Sequence, residues 1–426
     1  MLDIRLIREN PAAVKERLAT RGGGAETMID EILDCDRQRR GLETRLQQLN
    51  ADRKRISKEI GARKGRSEAT DDLEDQVRGF GDDVALLNQQ ATEADAKQRD
   101  LLLQLPNLPH AQAIVGRDAG DNPVVKTWGE KPQFAHPIFD HVTIADKVSL
   151  LDLERATRMS GSGFVCFTGK GAKLERALIN FMLDLHTEQH GYLEMSPPFL
   201  VRRDALIGTS QLPKFEEQLY RAERDEMFLA PTAEVPVTNF HREEILSLGE
   251  LPKKYVAYTP CFRREAGAAG VGSRGLIRVH QFDKVELVKI TTPEKSYDEL
   301  ESLTADAEKV LQLLGLHYRI IELCTGDVGF GAAKTYDIEV WAPGQNAYLE
   351  VSSCSNFEDF QARRMNLRFK GADGKNTFCH TLNGSGTALP RLFVALLETG
   401  QQHDGSIRIP AALQPYFGAK QIDAGP

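Results

Sequence analysis

The chain has 426 residues, of which 41% are apolar, and this length is enough for two or three domains with a large core. Its formal net charge is −8, from 62 acidic and 54 basic side chains, which excludes a generally basic nucleic-acid-binding surface. Any RNA contact must therefore come from local basic patches.

The composition also indicates the cellular compartment. The N-terminal segment MLDIRLIREN carries charges and no apolar run, so we expect no signal peptide, and no apolar stretch of the sequence is long enough to span a bilayer. The six cysteines are scattered without a CxxC pair, which is typical of a reducing compartment and predicts no thiolate zinc site. We expect a cytoplasmic protein that binds no zinc.

The first hundred residues contain two tracks of mostly apolar residues at heptad spacing. One runs from Met28 to Ile60 and the other from Leu73 to Leu105, in alternating steps of four and three residues. The segment between them, GARKGRSEAT, has the glycines and polar residues of a turn. The pattern predicts an antiparallel helical hairpin with a coiled-coil seam over about residues 27–105, roughly 50 Å long at about 1.5 Å per residue.

Basic side chains cluster near the predicted turn of this hairpin; the six residues are Lys54, Arg55, Lys58, Arg63, Lys64 and Arg66. Coiled coils most often serve as assembly devices, and a charged tip is usually only solvated. A basic tip on a long arm is also well placed to bind the phosphates of a nucleic acid. The residues alone leave both interpretations open.

The remainder of the chain has a different pattern. Residues 106–133 contain four prolines and little periodicity, which predicts a linker to a second domain. The segment from Leu174 to Gly191 has the spacing of an amphipathic helix. From Tyr318 onward the segments YRIIEL, TYDIEVW and AYLEVSS predict hairpin-connected strands. A mostly antiparallel sheet with helices around it is expected, so the predicted fold class is α+β.

Two further strand patterns flank a loop of small residues, 266–275, within the stretch from 255 to 290. At period two, Arg263 and Glu265 project from one face of the first strand, and Phe282, Lys284 and Glu286 share a face of the second. An arginine, two acids and an aromatic ring are groups that can hold a phosphate, a base and a small polar ligand. A solvated sheet face is the alternative interpretation.

Several segments resemble the signature motifs of class II aminoacyl-tRNA synthetases, and in particular those of the seryl-tRNA synthetase family. FRRE, from Phe262 to Glu265, resembles motif 2 (fRxE), and RGLIRVHQFDKVE resembles the family's continuation of it. PTAEVPVTN resembles the serine-binding TxE loop, and LEVSSCSNFEDFQARRMNLRF the strand that contacts metal and ATP. Residues 381–398 resemble motif 3, and Pro197-Pro198, within residues 190–202, resembles motif 1.

This resemblance covers nearly the whole chain. It implies an N-terminal tRNA-binding domain over residues 1–105, a linker over 106–133, and a class II catalytic domain over 134–426 with motif 2 at 255–290. The implied reaction activates L-serine with ATP to seryl-adenylate and transfers serine to the 3′ end of tRNA(Ser), releasing diphosphate and AMP. Mg²⁺ is the expected cation and a homodimer the expected assembly. The arm would grip the long variable arm of the tRNA, and charging of tRNA(Sec) stays open.

The resemblance also implies roles for particular residues. Arg263 and Arg391 are the expected catalytic residues, because a planar, permanently charged guanidinium suits a carboxylate and a phosphate. The expected serine-binding residues are Thr232, Ala233, Glu234, Arg263, Glu286, Asn383 and Ser385. The expected ATP-binding residues are Arg263, Arg264, Glu265, Val279, Phe282, Glu350, Val351, Ser352, Ser353 and Arg391, of which Glu350 and Ser353 would hold Mg²⁺. The six basic residues of the tip would bind tRNA.

Two other functions stay as alternatives. One is a binding or assembly protein built around the coiled coil, against which the intact set of motif residues weighs. The other is a synthetase-like enzyme that loads amino acids onto carrier proteins; such relatives lack the long arm and use a zinc pocket. Arg264 and Pro390 depart from residues common in the family, which leaves the contacts with the acceptor end of tRNA open.

Overall fold

The computed structural model describes residues 1–265 and 274–424. The loop predicted at 266–275 falls almost entirely on residues 266–273, which lie outside the described part of the chain. The chain divides into two compact units, Met1–Pro106 and Asn107–Pro426.

The smaller unit is built from the helices α1 (Ile4–Glu9), α2 (Pro11–Ala19), α3 (Met28–Lys64) and α4 (Asp71–Gln104). The two long helices, α3 and α4, are joined by a turn at residues 65–70 and form the predicted hairpin. Its seam buries apolar heptad residues such as Ile32, Ile56 and Leu87. The prediction of an antiparallel helical arm is confirmed.

Asp36 forms the centre of a buried polar cluster at the base of this hairpin, with its side chain 1% exposed. Its carboxylate accepts hydrogen bonds from Arg8 of α1 at 3.3 Å, Arg40 of α3 at 3.0 Å and Gln98 of α4 at 3.2 Å. Burial by itself would raise the pKa of Asp36, but these donors bring it below its usual value. The Asp36 carboxylate therefore links α1, α3 and α4, and the polar Gln98 in the second heptad track provides the bond from α4.

The larger unit combines helices and strands. Its helices are α5 (His141–Lys147), α6 (Leu153–Ser160), α7 (Lys170–Glu188), α8 (Arg203–Gly208), α9 (Glu234–Thr238), α10 (Ser296–Leu314), α11 (Phe360–Met365), α12 (Leu389–Gly400) and α13 (Gln414–Phe417). The helix predicted over 174–191 is α7. Across residues 1–265 and 274–424, no helix is long and apolar enough to cross a bilayer.

The strands of this unit form one large sheet and several small ones. They are β1 (Val124–Trp128), β2 (Leu151–Asp152), β3 (Cys166–Phe167), β4 (Leu193–Met195), β5 (Leu200–Arg202), β6 (Arg221–Ala222), β7 (Met227–Leu229), β8 (Ile245–Ser247), β9 (Lys253–Phe262), β10 (Gln281–Thr291), β11 (Tyr318–Glu322), β12 (Lys334–Ala342), β13 (Ala347–Asn356), β14 (Arg368–Lys370), β15 (Asn376–Phe378), β16 (His380–Ala388), β17 (Ile407–Arg408) and β18 (Gln421–Ile422).

The large sheet has eight strands in the order β1-β11-β12-β13-β16-β10-β9-β4. All of its pairings are antiparallel except the one between β4 and β9. The predicted α+β class with a mostly antiparallel sheet is confirmed.

The segment predicted as a linker, 106–133, contains strand β1, which pairs with β11 at the edge of the sheet. At its start, the Asn107 amide group donates to the carbonyls of Gly331 at 2.9 Å and Phe357 at 3.0 Å, so this part packs within the larger unit. The sequence pattern missed the strand because four of its five residues are exposed and carry no alternation of apolar and polar side chains.

The two faces of strand β10 have different surroundings. Val285 and Leu287 point into the main core, where α7, α10 and α12 pack on the sheet. Val288 and Ile290 point to the other face and contact a smaller core near α9 and α11. Further toward the start of β10, that second face is open and forms a cleft. The period-two pattern of this strand thus separates core from cleft.

Candidate active site

A cleft of about 490 Å³ lies on the open face of the large sheet. Among the side chains that line it are most of the predicted serine- and ATP-binding residues, namely Thr232, Glu234, Arg263, Glu265, Val279, Phe282, Glu286, Glu350, Val351, Ser353, Asn383, Ser385 and Arg391. Residues separated by more than 150 positions in the sequence therefore meet in one cavity, because β9, β10, β16 and β13 are neighbours in the sheet.

Three predicted residues lie outside the lining of this cleft. Ala233 is buried in the small core behind α9. Ser352 is buried between strands, and its hydroxyl donates to the Ser385 carbonyl at 2.6 Å. Arg264 is exposed, and its backbone N–H donates to Gln218. Arg264 follows Arg263, whose side chain faces the cleft, and Ser352 lies opposite Ile338, whose side chain is in the main core.

The FRRE segment of motif 2 begins where β9 ends, at Phe262, so Arg263 and Glu265 follow the strand instead of lying within it. The Arg263 backbone N–H donates to His280, and its Nε donates to the Pro231 carbonyl at 3.2 Å. The guanidinium carbon lies 5.2 Å from the centre of the Phe282 ring. These contacts hold the guanidinium within the cleft.

Glu265 has a left-handed backbone with φ of 47°, which is uncommon for a residue other than glycine. Its carboxylate pairs with Arg278 at 3.3 Å. Arg278 also lines the cleft and was not among the predicted site residues. Its position, three residues after the loop of small residues, carries no pattern that would have identified it.

Glu286 is the most enclosed acid of the cleft, with its side chain 1% exposed. Its Oε1 accepts from Asn383 Nδ2 at 2.8 Å, and its Oε2 accepts from Ser385 Oγ at 3.2 Å and from Lys284 Nζ at 2.6 Å. Lys284 lies two residues earlier on β10 and was not predicted as a site residue. A buried carboxylate needs such donors, since an unpaired charge in this position would be strongly destabilising.

A β-bulge in β16 sets the position of Ser385. Lys284 is opposite Ala388, but Glu286 is opposite Ser385, so Gly386 is the extra residue of β16. A Cβ on Gly386 would come within 2.9 Å of His186 Nε2, so the close approach of α7 requires a glycine. The bulge therefore brings Ser385 and Ala388, which are three positions apart, onto the cleft face.

Glu234 is the second buried acid of the cleft and lies at the start of α9. Its Oε1 accepts from Gln361 Nε2 at 2.7 Å, and Gln361 in turn accepts from the Thr381 hydroxyl at 2.7 Å. Burial, with the nearby charge of Glu286, raises the pKa of Glu234 to about 7. Gln361 was missed by sequence reasoning, since a glutamine on a short helix carries no signal of its own.

A second bulge brings Glu350 and Ser353 together on β13. Ile338 is opposite Ser352 and Glu339 is opposite Glu350, which leaves Val351 as the extra residue. Without this bulge, side chains three positions apart would point to opposite faces. Asp337, directly opposite Ser353, adds a carboxylate whose Oδ1 is buried with no hydrogen-bond partner among the described residues. Burial and the charge of Glu350 raise the pKa of Asp337 to about 8.

Arg391 closes the cleft at the start of α12. Its Nε donates to the Ile277 carbonyl at 3.2 Å and its Nη1 donates to the Glu350 carbonyl at 2.9 Å. These bonds hold the guanidinium beside Glu350, on the other side of the cleft from the Glu234 and Glu286 pocket. The cleft therefore has the buried acids at the end formed by β10 and α9 and Arg391 at the end formed by β13 and α12, while Arg263 lies near Glu234.

The six basic residues predicted to bind tRNA all lie near the end of the hairpin. Arg55 pairs with Asp52, Arg63 with Glu59 and Lys64 with Glu74. Lys54, Lys58 and Arg66 are exposed. Part of the basic charge that the sequence places at the tip is thus balanced by acids of the same hairpin.

Comparisons with known proteins agree with this architecture. Residues 214–400 match the model of the tRNA synthetase class II core domain (G, H, P, S and T), so the larger unit is a class II aminoacyl-tRNA synthetase core. Residues 1–109 match the seryl-tRNA synthetase N-terminal domain.

Individual relatives are similar over the full length. A serine–tRNA ligase from Akkermansia muciniphila is 60% identical over 99% of both chains, and one from Thermodesulfovibrio yellowstonii is 52% identical over 99% of this chain and 100% of its own. Seryl-tRNA synthetase from Pyrococcus horikoshii, solved with ATP, is 38% identical, with a TM-score of 0.94 and full coverage of both chains. The cytoplasmic serine–tRNA ligase from Naegleria fowleri, solved with AMP, is 28% identical, with a TM-score of 0.89, covering 100% of this chain and 99% of its own. The chain belongs to the seryl-tRNA synthetase family.

The environment of Glu234 generates a prediction about its protonation. We expect its carboxyl group to lose its proton near pH 7 instead of near the usual 4.5. The folded state holds this proton more tightly than the unfolded chain does. The contribution of Glu234 to the free energy of unfolding therefore falls as pH rises from 4.5 to about 7. Infrared difference spectra of the parent and Glu234→Gln should show a neutral carboxyl band that disappears with a midpoint near pH 7.

The matched control for this titration is Glu216→Gln. Glu216 accepts from Arg203, which lowers the pKa of its carboxyl group, so its replacement should remove no band between pH values of about 6 and 8. An identical spectrum for the parent and Glu234→Gln would show that Glu234 is ionised throughout.

Proposed function

We propose that this chain carries out the reaction of its family. It is an aminoacyl-tRNA synthetase that activates L-serine with ATP, releases diphosphate, and transfers serine from the adenylate to the 3′ end of tRNA(Ser), releasing AMP. The observation that carries the proposal is the buried Glu286, surrounded by Asn383 and Ser385, in the same cleft as Arg263 and Arg391. One end suits a small polar amino acid, and the other suits a polyphosphate.

The acid end of the cleft is assigned to serine. Glu286 accepts the hydroxyl hydrogen of the substrate, next to the donors Asn383 and Ser385. Glu234, with Thr232 beside it, takes the ammonium group. Alanine is rejected because it would leave the buried Glu286 without this hydrogen bond. Since Glu234 must be ionised to bind an ammonium, serine binding weakens as pH falls below about 7.

The remaining residues position ATP. The serine carboxylate attacks the α-phosphorus in line, and this step needs no protein base. The rate enhancement therefore comes from orientation of the substrates and neutralisation of their charge. Arg263 bridges the carboxylate and the α-phosphate, and Glu265 accepts from the adenine amino group. The Phe282 ring stacks on one side of the base, and Arg391 lies on the other side and reaches the γ-phosphate.

The residues beside Arg391 fit Mg²⁺. The Glu350 carboxylate and the Ser353 hydroxyl share a face. Asp337 lies opposite Ser353, and its buried Oδ1 has no hydrogen-bond partner within residues 1–265 and 274–424, so the donors are the oxygen atoms that this cation prefers. When bound, the cation neutralises charge on the phosphates. Glu350 and Ser353 would hold it, and Asp337 would orient the Ser353 hydroxyl.

The arm favours tRNA over a carrier protein as the acceptor of serine. The hairpin of α3 and α4 carries the exposed cations Lys54, Lys58 and Arg66 near its end. A charging assay with purified tRNA(Ser), with tRNA(Sec) as a second substrate and a carrier protein as the alternative acceptor, tests this choice.

We also propose a cytoplasmic location, supported by six cysteines that all remain free thiols.

The serine pocket is tested by Glu286→Ala, measured by ATP–diphosphate exchange. We expect the KM for serine to rise and the preference for serine over alanine to fall by on the order of 2–4 kcal/mol, because a charged hydrogen bond is lost. Glu265→Ala should instead raise the KM for ATP with serine selectivity kept. If Glu286→Ala still separates serine from alanine as well as the parent, the hydroxyl is recognised elsewhere.

The role of the arm is tested by Lys54→Gln, Lys58→Gln and Arg66→Gln in one variant. Exchange of diphosphate should be unchanged, while tRNA binding weakens and the slope of log K against log salt becomes shallower by roughly 2–3. The control is Arg37→Gln with Lys97→Gln, which removes exposed cations far from the tip of the same hairpin that pair with acids. Equal losses in both variants would indicate a general charge effect without a tip site.

A homodimer is the proposed assembly, supported by an apolar surface around motif 1. Strand β4 is at the edge of the large sheet, and Leu193, Phe199 and Leu200 nearby are 63%, 40% and 47% exposed. Light scattering should give about twice the chain mass of 47.4 kDa. Leu193→Glu with Leu200→Glu should produce monomers, whereas Met159→Glu, at an exposed apolar residue of α6, should not. A fully active parent monomer would contradict this assembly.

A further inference from the structure

The cleft contains two buried carboxyl groups, and either of them has the chemistry to bind a substrate ammonium. Glu234 and Glu286 have side chains that are almost completely enclosed, and their charges act on each other. Serine itself presents an ammonium and a hydroxyl on neighbouring carbon atoms. The pocket must therefore fix which acid binds the ammonium and which binds the hydroxyl. In the opposite orientation, the serine carboxylate would lie away from Arg263.

The two acids differ in the charge of their protein partners. Glu234 is bonded to the amide of Gln361, which is neutral. Glu286 is bonded to the ammonium of Lys284 at 2.6 Å, and the Lys284 side chain is 7% exposed. Lys284 is two residues from Glu286 on the same strand, so its side chain lies on the same face of the sheet. Arg263, the other nearby cation, bonds to Pro231 and faces Phe282, so it acts on Glu234 through space, as Lys284 also does, whereas Lys284 forms its direct ion pair with Glu286.

We propose that Lys284 is a specificity-determining positioning residue: its ammonium neutralises Glu286, so that the side-chain subsite accepts a neutral hydroxyl and the substrate ammonium goes to Glu234. This inference rests on the proposed serine site. Lys284 needs no contact with the substrate for this role, since it acts through the carboxylate that it pairs with. It also excludes amino acids with a second positive charge, because two cations would then share one carboxylate in a buried site.

The test compares serine with 2,3-diaminopropionate, in which a side-chain ammonium replaces the hydroxyl, by ATP–diphosphate exchange on the full-length chain. In Lys284→Met, Glu286 loses its cation and should accept that ammonium. We expect the ratio of kcat/KM for serine to that for 2,3-diaminopropionate to fall on the order of tenfold to a hundredfold, the range for a charged hydrogen bond. The KM for ATP should stay near that of the parent.

Two further variants distinguish an effect of the Lys284 charge from a purely structural role of its side chain. Lys284→Gln keeps a donor for Glu286 without the charge, so it should lower the ratio as Lys284→Met does, whereas a purely structural role would be rescued by it. Lys284→Arg keeps the charge and should keep the parent's ratio. Either neutral variant alone suffices for the measurement, so misfolding of one does not prevent the test.

Lys289→Met is the matched control. Lys289 is on the same strand, is fully buried and pairs with Glu299 at 2.9 Å, but it is an odd number of positions from Lys284 and lies outside the cleft lining. Its replacement is expected to lower the melting temperature without changing the ratio. An unchanged ratio in Lys284→Met and Lys284→Gln, or a large rise in the KM for ATP alone, would overturn the role of Lys284. Absence of serine-dependent exchange in the parent would instead overturn the proposed function.

Discussion

The carboxylate of Glu286 is the charge that the architecture of the larger unit has to accommodate. A buried anion is unstable without donors, and the strands around it supply them: Lys284 from β10 itself, and Asn383 and Ser385 from β16. The hydrogen-bonded pairing of β10 with β16 is thus a requirement of the pocket as well as of the sheet. A site built on adjacent strands holds its polar groups more precisely than one built on loops.

Two β-bulges adapt a regular sheet to this chemistry. The bulge at Gly386 brings Ser385 and Ala388 to the cleft face, and the bulge at Val351 does the same for Glu350 and Ser353. An unbroken ladder would have turned one member of each pair toward the core, where a hydroxyl or carboxylate has no role. Both bulges lie next to the cleft, so the irregularities occur where ligand contacts are needed, and the apolar core on the other face is uninterrupted.

The same balance between buried charge and donors appears in the smaller unit. Asp36 is enclosed at the base of the hairpin and is satisfied by Arg8, Arg40 and Gln98 from three helices. Farther along the arm, the seam is less enclosed and the surface carries exposed ion pairs, which contribute little stability in water. The hairpin thus has a well-packed base and an exposed, charged end. This arrangement suits an element that binds a polyanion at its end, away from the packed part of the smaller unit.

The sequence by itself determined the elements whose pattern is local: the heptad hairpin, the alternating strands, and the motif residues that resembled one family. It assigned Glu286, Arg263 and Arg391 to one site because those motifs could be compared, although they are far apart in the chain. Tertiary structure alone decided which of the remaining side chains joined them. Period two had already placed Lys284 on the face of Glu286, but the ion pair between them, the bond of Gln361 to Glu234 and the pairing of Arg278 with Glu265 depend on contacts in the fold that have no period in a sequence.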